Sequence, residues 1–151
     1  MPLTHSLREH AFARGLTEEQ IATLAELATE VAFQENDVIL VDGQHSRSFY
    51  LLLTGSVVVE LRTPVCVMTV QALGPGNVFG WSALLDRQDT LFQVRSREHT
   101  TALQIDGGAL KARCMSDTRL GAELLHRILH VVAGRVKATE QRFAEMCGIR
   151  I

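Results

Sequence analysis

The sequence has few of the residues that mark secreted or membrane proteins. Its three cysteines, Cys66, Cys114 and Cys147, are widely spaced and odd in number, so they indicate neither a disulfide framework nor a C-x-x-C metal site. No apolar stretch reaches 18 residues, and the N-terminal segment has no long apolar core, which argues against a membrane span and a signal peptide. We therefore expect a cytoplasmic protein with no membrane partner and no bound metal.

The chain also lacks a strong charge and the common catalytic motifs. Its formal net charge is −2, so no basic field favours nucleic acid. G-x-S-x-G, H-E-x-x-H and the phosphate-loop motif are all absent. Of its 151 residues, 46% are hydrophobic and 21% are charged. This composition is enough for the core of one ordinary globular domain spanning 1–151. We expect a non-enzymatic protein.

The first two thirds of the chain alternate between short apolar runs and turn signals. A capping box at Thr17 and Gln20 predicts an N-terminal helix over 17–29. Short β-branched runs follow, separated by Gly- and Pro-containing turns; they are 37–42, 48–53, 56–62, 65–73, 92–96 and 100–105. Short strands at this spacing predict a sandwich, barrel or jelly roll over 33–106.

The last third, 107–147, has a helical pattern. Asp106 is placed to cap a short helix near 108–114, and Asp117 to cap a long one over 118–146. Apolar residues follow a heptad spacing along the long helix and predict a homodimer. The alternative is one wide stripe that a single chain buries. The seam consists of Leu125, Leu129, Val132, Val136, Thr139, Phe143 and Met146.

A glycine-rich loop at 74–94 completes a recognisable arrangement. The stretches "ENDVILVDGQHSRSFYLLLTGSVVVE", "LGPGNVFG" and "SALL" resemble the opening strands, the approach to the phosphate cassette and the cassette helix of one family. That family is the cyclic nucleotide-binding domain of the catabolite activator protein and related bacterial regulators. The resemblance covers about residues 16–146. It implies a mainly β fold with flanking helices, a β-roll or jelly roll, and a long dimerisation helix.

The resemblance implies a ligand site, and the sequence departs from its pattern. In the family, backbone N–H groups of the cassette hold a cyclic phosphate, an arginine pairs with it, and a glutamate binds the ribose. Here Trp81 stands at the glutamate position and Thr90 at the arginine position. We predict that the domain is not a standard cAMP or cGMP binder, and that a cyclic nucleotide or another small anionic ligand is the possible occupant. The candidate residues are Gly80, Trp81, Ser82, Ala83, Arg87, Thr90 and Leu91.

Three alternatives remain open from the sequence. Trp81, with Leu91 and Phe92, could plug the pocket and leave a ligand-free dimerisation or adaptor module. Trp81 could instead stack on a flat ligand. His126 and His130, four residues apart on one helix face, could belong to a haem or metal sensor.

The family that the sequence resembles also indicates which partners to expect. Regulators of this family carry a helix-turn-helix after the dimer helix, and only five residues follow Met146. We therefore expect no DNA contact and an output through an unknown downstream protein. Arg95 and Arg97 alternate with Val94 and Ser96 on a strand, which predicts that both arginines face solvent.

Overall fold

A computed structural model describes residues 3–85 and 91–148. Within them, the helices are α1 (Leu3–Glu9), α2 (Glu18–Leu27), α3 (Gly107–Ser116) and α4 (Thr118–Met146), with one turn of 3₁₀ helix at Trp81–Leu84. The strands are β1 (Ala28–Phe33), β2 (Val38–Leu40), β3 (Ser48–Thr54), β4 (Val57–Arg62), β5 (Val67–Leu73), β6 (Val78–Phe79), β7 (Gln93–Ser96) and β8 (Thr100–Asp106).

The strands form two four-stranded antiparallel sheets. One sheet has the order β1-β8-β3-β6 and the other β2-β7-β4-β5. Strands that follow each other in the sequence often lie in different sheets, as in a roll rather than a simple meander. The prediction of a mainly β roll with flanking helices is confirmed.

Alternating side chains divide the core into two clusters on opposite faces of the first sheet. On β3, Phe49 and Leu51 face the helices, whereas Tyr50 and Leu52 face the second sheet. The helix-side cluster also contains Leu7, Phe12, Ile21, Leu24, Leu103, Ile105, Leu110, Leu120 and Leu124. The roll interior contains Val57, Val59, Leu73, Phe79, Val94 and Ala102.

Capping side chains set the beginnings of three helices. Thr17 and Gln20 form the reciprocal capping box, while Asp106 and Asp117 accept hydrogen bonds from Ala109 N and Leu120 N. Each cap satisfies backbone N–H groups that a helix leaves without partners. The long helix occupies the predicted range.

The N-terminal region departs from its prediction. The helix expected over 17–29 ends at Leu27, and 28–33 form β1, paired along its length with β8. The segment "ATEVAF" is short enough to suit either state, and pairing with β8 decides it. Helix α1 and the two-residue strand β6 carry no clear signal and were not predicted.

Arg95 is half-buried rather than directed to solvent, so this prediction was wrong. Its Nε and Nη2 atoms donate to the two oxygens of Glu60 at 3.0 and 2.8 Å. Gln93 Nε2 donates to the same carboxylate at 2.9 Å. The register of β4 against β7 places Glu60, Gln93 and Arg95 on the same face of the sheet, which explains why they pair. Arg97 is exposed as expected.

Within residues 3–85 and 91–148, no helix combines the length and the apolar character needed to cross a bilayer.

Candidate functional site

The loop predicted as a ligand cassette makes a tight turn at Gly80. Its φ of +85° lies in the left-handed region, and the 3₁₀ helix Trp81–Leu84, called here the cassette helix, begins directly after it. A Cβ at Gly80 would lie 2.5 Å from Ser48 O on β3. Glycine is therefore required here both by conformation and by space.

The cassette helix is packed tightly against the start of α3. Ser82 and Ala83 are buried. A Cβ at Gly107 would lie 2.5 Å from Ala83 Cβ and would also overlap the Ala83 carbonyl. Gly121 makes the next junction, because its Cβ would lie 2.6 Å from Cys114 O on α3. The cassette helix, α3 and α4 are therefore in close contact at these two glycines.

Trp81 packs on the helix side of the molecule and not inside the roll. It is half-buried against the helix-side cluster. Its ring faces α4, where the guanidinium carbon of Arg135 lies 4.6 Å from the ring centroid. The same guanidinium donates from Nε to Gln71 Oε1 at 2.6 Å. These three side chains join the cassette, α4 and β5.

Arg135 is a buried cation, with only 8% of its surface exposed. Burial lowers the pKa of its guanidinium to about 10, which still leaves it charged at neutral pH. Among the described residues, no carboxylate forms an ion pair with it, and Gln71 is its hydrogen-bonded side-chain partner. The site is therefore electropositive, and within residues 3–85 and 91–148 an aromatic ring and an amide oxygen are the groups that compensate the charge.

The structure does not support a plug made of Trp81 and Leu91. Leu91 is 75% exposed, so it closes no pocket, and Trp81 faces away from the roll. The roll interior is filled by other aromatic rings: Tyr50 stacks on Phe79 at 4.8 Å, and Phe33 meets Tyr50 edge-on at 6.0 Å. Phe92 does pack against this interior. Arg87 and Thr90 lie outside the described residues.

The predicted seam on α4 is largely exposed. Leu125 and Phe143 are each 68% exposed, and Leu129, Val136 and Met146 are also open to solvent. Val132 is half-buried. Thr139 is exposed, and its hydroxyl donates to Arg135 O within the helix. The buried stripe is a different one, formed by Leu120 and Leu124 with Ile128 and Val131.

His126 and His130 lie next to each other on α4, with ring centroids 4.7 Å apart in an edge-on arrangement. Both are exposed. In the part of the chain that the structure describes, no group of three or more His, Cys, Asp or Glu side chains is placed to hold a metal ion. Sequence reasoning singled out this pair but not Arg135 and Gln71. The available signal was a cation that continues the apolar spacing of Leu124, Ile128 and Val131.

The β-roll, the glycine-led cassette helix and the long final helix define the class of protein. The model of the cyclic nucleotide-binding domain matches residues 30–117, more than half of the chain. The chain belongs to the cyclic nucleotide-binding domain family.

Two solved structures illustrate how similar the fold is to that of other proteins. The chain is 26% identical to a putative cyclic nucleotide-binding protein from Geobacter metallireducens GS-15, covering 90% of this chain and 99% of that one with a TM-score of 0.79. It is 19% identical to the regulatory subunit of a cAMP-independent protein kinase A from Trypanosoma brucei, covering 94% of this chain and 49% of that one with a TM-score of 0.71.

One curated relative is an enzyme. The chain is 32% identical over 81 residues to Glutaminase 2 from Bradyrhizobium diazoefficiens, which is 54% of this chain and 12% of that protein. The chain thus spans about an eighth of the curated relative that it matches.

Proposed function

We propose that this chain is a non-enzymatic regulatory module whose cassette no longer recognises cAMP or cGMP in the standard way. Its output would pass through α4 to a second copy and to a downstream protein partner, within the cytoplasm. The proposal rests above all on one observation: Trp81, at the family's glutamate position, faces Arg135 and not the roll.

The loss of two polar contacts would weaken nucleotide binding strongly. A hydrogen bond to a charged group contributes about 1.5–3 kcal/mol. Without the family's glutamate and arginine, affinity should fall by about two to four powers of ten. The backbone turn at Gly80 remains, and it would suit a small anion without specifying a nucleotide.

The relatives are compatible with this view. The Trypanosoma brucei subunit is described as cAMP-independent, and a triple mutant of it is described as bound to cAMP in the A site. The glutaminase match covers 12% of that enzyme. It therefore supports a shared domain rather than shared chemistry.

Calorimetry with cAMP and cGMP tests the proposal directly. We expect no binding heat for the native protein at about 1 mM nucleotide. The double variant Trp81→Glu with Thr90→Arg should gain about 100-fold in affinity or more, since it restores two charge-assisted contacts. Micromolar binding of cAMP by the native protein would refute the proposal.

A matched variant separates restored charge from altered packing. Trp81→Gln with Thr90→Met removes the same side chains and adds similar volume without charge. It should bind nucleotide no better than the native protein. If both double variants gain equally, space in the cassette rather than charge controls binding.

The dimer part of the proposal rests on the exposed seam. Its side chains repeat at heptad spacing over three heptads, and all except the half-buried Val132 are exposed in the monomer. Burying a large apolar side chain is worth about 1.5–3 kcal/mol, so several such residues on each helix favour a paired coil. A second copy offers the same stripe and fits by symmetry.

Light scattering after size exclusion measures the mass of the particle. We expect a dimer for the native protein and a monomer after Leu129→Lys with Val136→Lys, which adds four like charges to one seam. Ala133→Lys, on the same helix but outside the seam, should remain a dimer. A native monomer at about 100 μM would overturn this part alone.

A ligand-free adaptor is the second candidate, and the filled roll favours it. Tyr50 and Phe79 occupy part of the interior with their rings stacked, which takes up room that a ligand would need. In this case the cassette variants would fold but gain no nucleotide affinity, while dimerisation would persist. Dimerisation without any gain in nucleotide affinity would therefore distinguish a ligand-free adaptor from a sensor with an altered cassette.

A further inference from the structure

A cleft outside the cassette has the composition of a binding site. It has a volume of about 500 Å³ and lies between α4, the end of β5, and the turns that contain Phe12 and Asn77. Gly76, Asn77 and Val78 of the 74–94 loop line it, whereas none of the cassette-helix residues Trp81–Leu84 does. Gln71 and Arg135 line it as well.

Two arginines and two histidines line this cleft, and its described lining contains no carboxylate. They are Arg127, Arg135, His126 and His130. Arg127 makes a 3.6 Å contact with Glu123 and donates to Arg14 O, but its buried Nε has no hydrogen-bond partner among the described residues. An anion that enters the cleft would meet donors from several sides and no like charge from the lining.

Arg135 provides the strongest demand for an anion. It is more than nine-tenths buried, and within the described residues its Nη1 and Nη2 atoms make no hydrogen bond. A buried cation without an ion-pair partner is costly, and the Trp81 ring and the Gln71 oxygen offset part of that cost for Arg135. A carboxylate or phosphate oxygen against these two nitrogens would make the planar, paired contact that a guanidinium prefers.

Gly134 keeps the cleft open. It lies in the interior of α4, where glycine costs about 1 kcal/mol relative to alanine. A Cβ at this position would meet nothing within 4 Å. Packing therefore does not require a glycine here, and a larger side chain would fill the space above it.

The remaining walls are apolar. Phe12, Leu73, Val78 and Val131 line the cleft beside the cationic groups. Phe12, Leu73 and Val78 are more than nine-tenths buried and expose only small apolar areas to the cleft. Inorganic phosphate alone would leave these areas in contact with water. A ligand with an anionic head and a short apolar body would use both kinds of surface.

We propose that this cleft binds a small amphipathic organic anion, with its head on Arg135 and its apolar body against Phe12, Val78 and Val131. This site lies outside the cassette helix, although it shares Gly76, Asn77 and Val78 with the 74–94 loop, and it does not depend on the proposed function. His126, His130 and Gly134 recur every four residues on one face of α4, whereas the seam lies on another. A dimer would therefore leave the cleft open.

Octanoate and its neutral analogue octanamide are suitable probes, because they differ in charge and hardly in shape. Calorimetry should show octanoate binding at least about tenfold more tightly than octanamide, which is 1.4 kcal/mol. Octanoate should also change the fluorescence of Trp81, the single tryptophan, because its partner Arg135 is drawn toward the ligand. Inorganic phosphate should bind at least about tenfold more weakly than octanoate.

Two variants with matched controls locate the site. Arg135→Gln should abolish the preference for octanoate, whereas Lys137→Gln, a charge removal on the same helix outside the cleft, should keep it. Gly134→Leu should block octanoate by filling the cleft, and Ala133→Leu should not. Gly134→Leu keeps the test decisive if Arg135→Gln fails to fold, since it touches no charged group.

Equal affinity for octanoate and octanamide, or no binding at about 5 mM, would overturn the proposal. Phosphate binding as tightly as octanoate would overturn the amphipathic class. Octanoate binding that survives Gly134→Leu would place the ligand elsewhere. Nucleotide titrations of the cassette variants use a different ligand, and Trp81 is not among the residues that line the cleft.

Discussion

The guanidinium of Arg135 lies over the indole of Trp81, 4.6 Å from carbon to ring centroid. The contact between the cassette helix and α4 is thus a cation–π contact and not an ion pair. Because Arg135 is buried, the surrounding protein screens this attraction less than water would.

The pair should show measurable coupling in a double-mutant cycle with Trp81→Leu and Arg135→Met. We expect an interaction energy of about 1–2 kcal/mol from urea unfolding, the range for a desolvated cation over an indole. Gln71→Ala serves as a control, since it removes the hydrogen bond and leaves the ring contact. A coupling below about 0.3 kcal/mol would mean that the two groups are only neighbours.

Gly107 should tolerate no side chain. Gly107→Ala would push a methyl group into Ala83 of the cassette helix, and overpacking of this kind costs about 1–3 kcal/mol. The adjacent Gly108 has only Asp106 Oδ2 near its Cβ position, at 3.4 Å. Gly108→Ala should therefore be neutral or slightly stabilising. Denaturant midpoints at unchanged slope compare the two, and equal midpoints would contradict the tight junction.

Removing only one member of the Glu60–Arg95 ion pair should lower the stability of the protein. Glu60 is 4% exposed, and the hydrogen bond from Arg95 holds the pKa of its carboxyl below the ordinary value. Arg95→Met would leave that carboxylate buried and short of partners, at a cost of about 3 kcal/mol. Adding Glu60→Leu to this variant should recover part of the loss. No recovery would indicate that Arg95 acts through packing.

Protonation of His10 should lower the stability of the folded protein in mild acid. Its Nε2 donates to Leu52 O at 2.8 Å, and its Nδ1 accepts from Phe12 N at 3.1 Å, so the neutral ring suits both contacts. Burial lowers its pKa in the folded state. The stabilising contribution is therefore complete above the unfolded pKa of about 6.5 and is lost as pH falls below it.

Urea unfolding of the native protein and His10→Gln across this range isolates the effect of one ring. The difference between them should shrink with falling pH, by at most about 1.4 kcal/mol per pH unit. A difference that stays constant would show that His10 does not titrate with unfolding.

Local sequence signals were enough for most of the fold. The caps at Thr17, Asp106 and Asp117 and the apolar run lengths depend on neighbours within a few residues. The long helix and most of the strands were predicted for that reason. Strand β1 was missed at Ala28, because its state depends on pairing with β8, more than 70 residues later.

The candidate site was predicted only in part. Glycine and cassette positions could be read from the pattern, since each glycine meets a local backbone demand. The direction of Trp81 could not, because both faces of the first sheet are apolar and a ring can fill either. The ion pair of Arg95 was missed for a similar reason: its partner Glu60 is brought beside it only by the register of β4 and β7.

By itself, the sequence determined the series of short strands, the glycine-led turn at Gly80 and the long helix with its heptad seam, because these follow from local periodicity, capping and backbone demands. The resemblance to a known family added the β-roll. Only the tertiary structure decided that Arg135 would lie buried over Trp81, bound to Gln71, beside a cationic cleft. Residue 135 lies more than 50 positions after residues 71 and 81, and the packing of α4 beside β5 and the cassette helix is what brings them together.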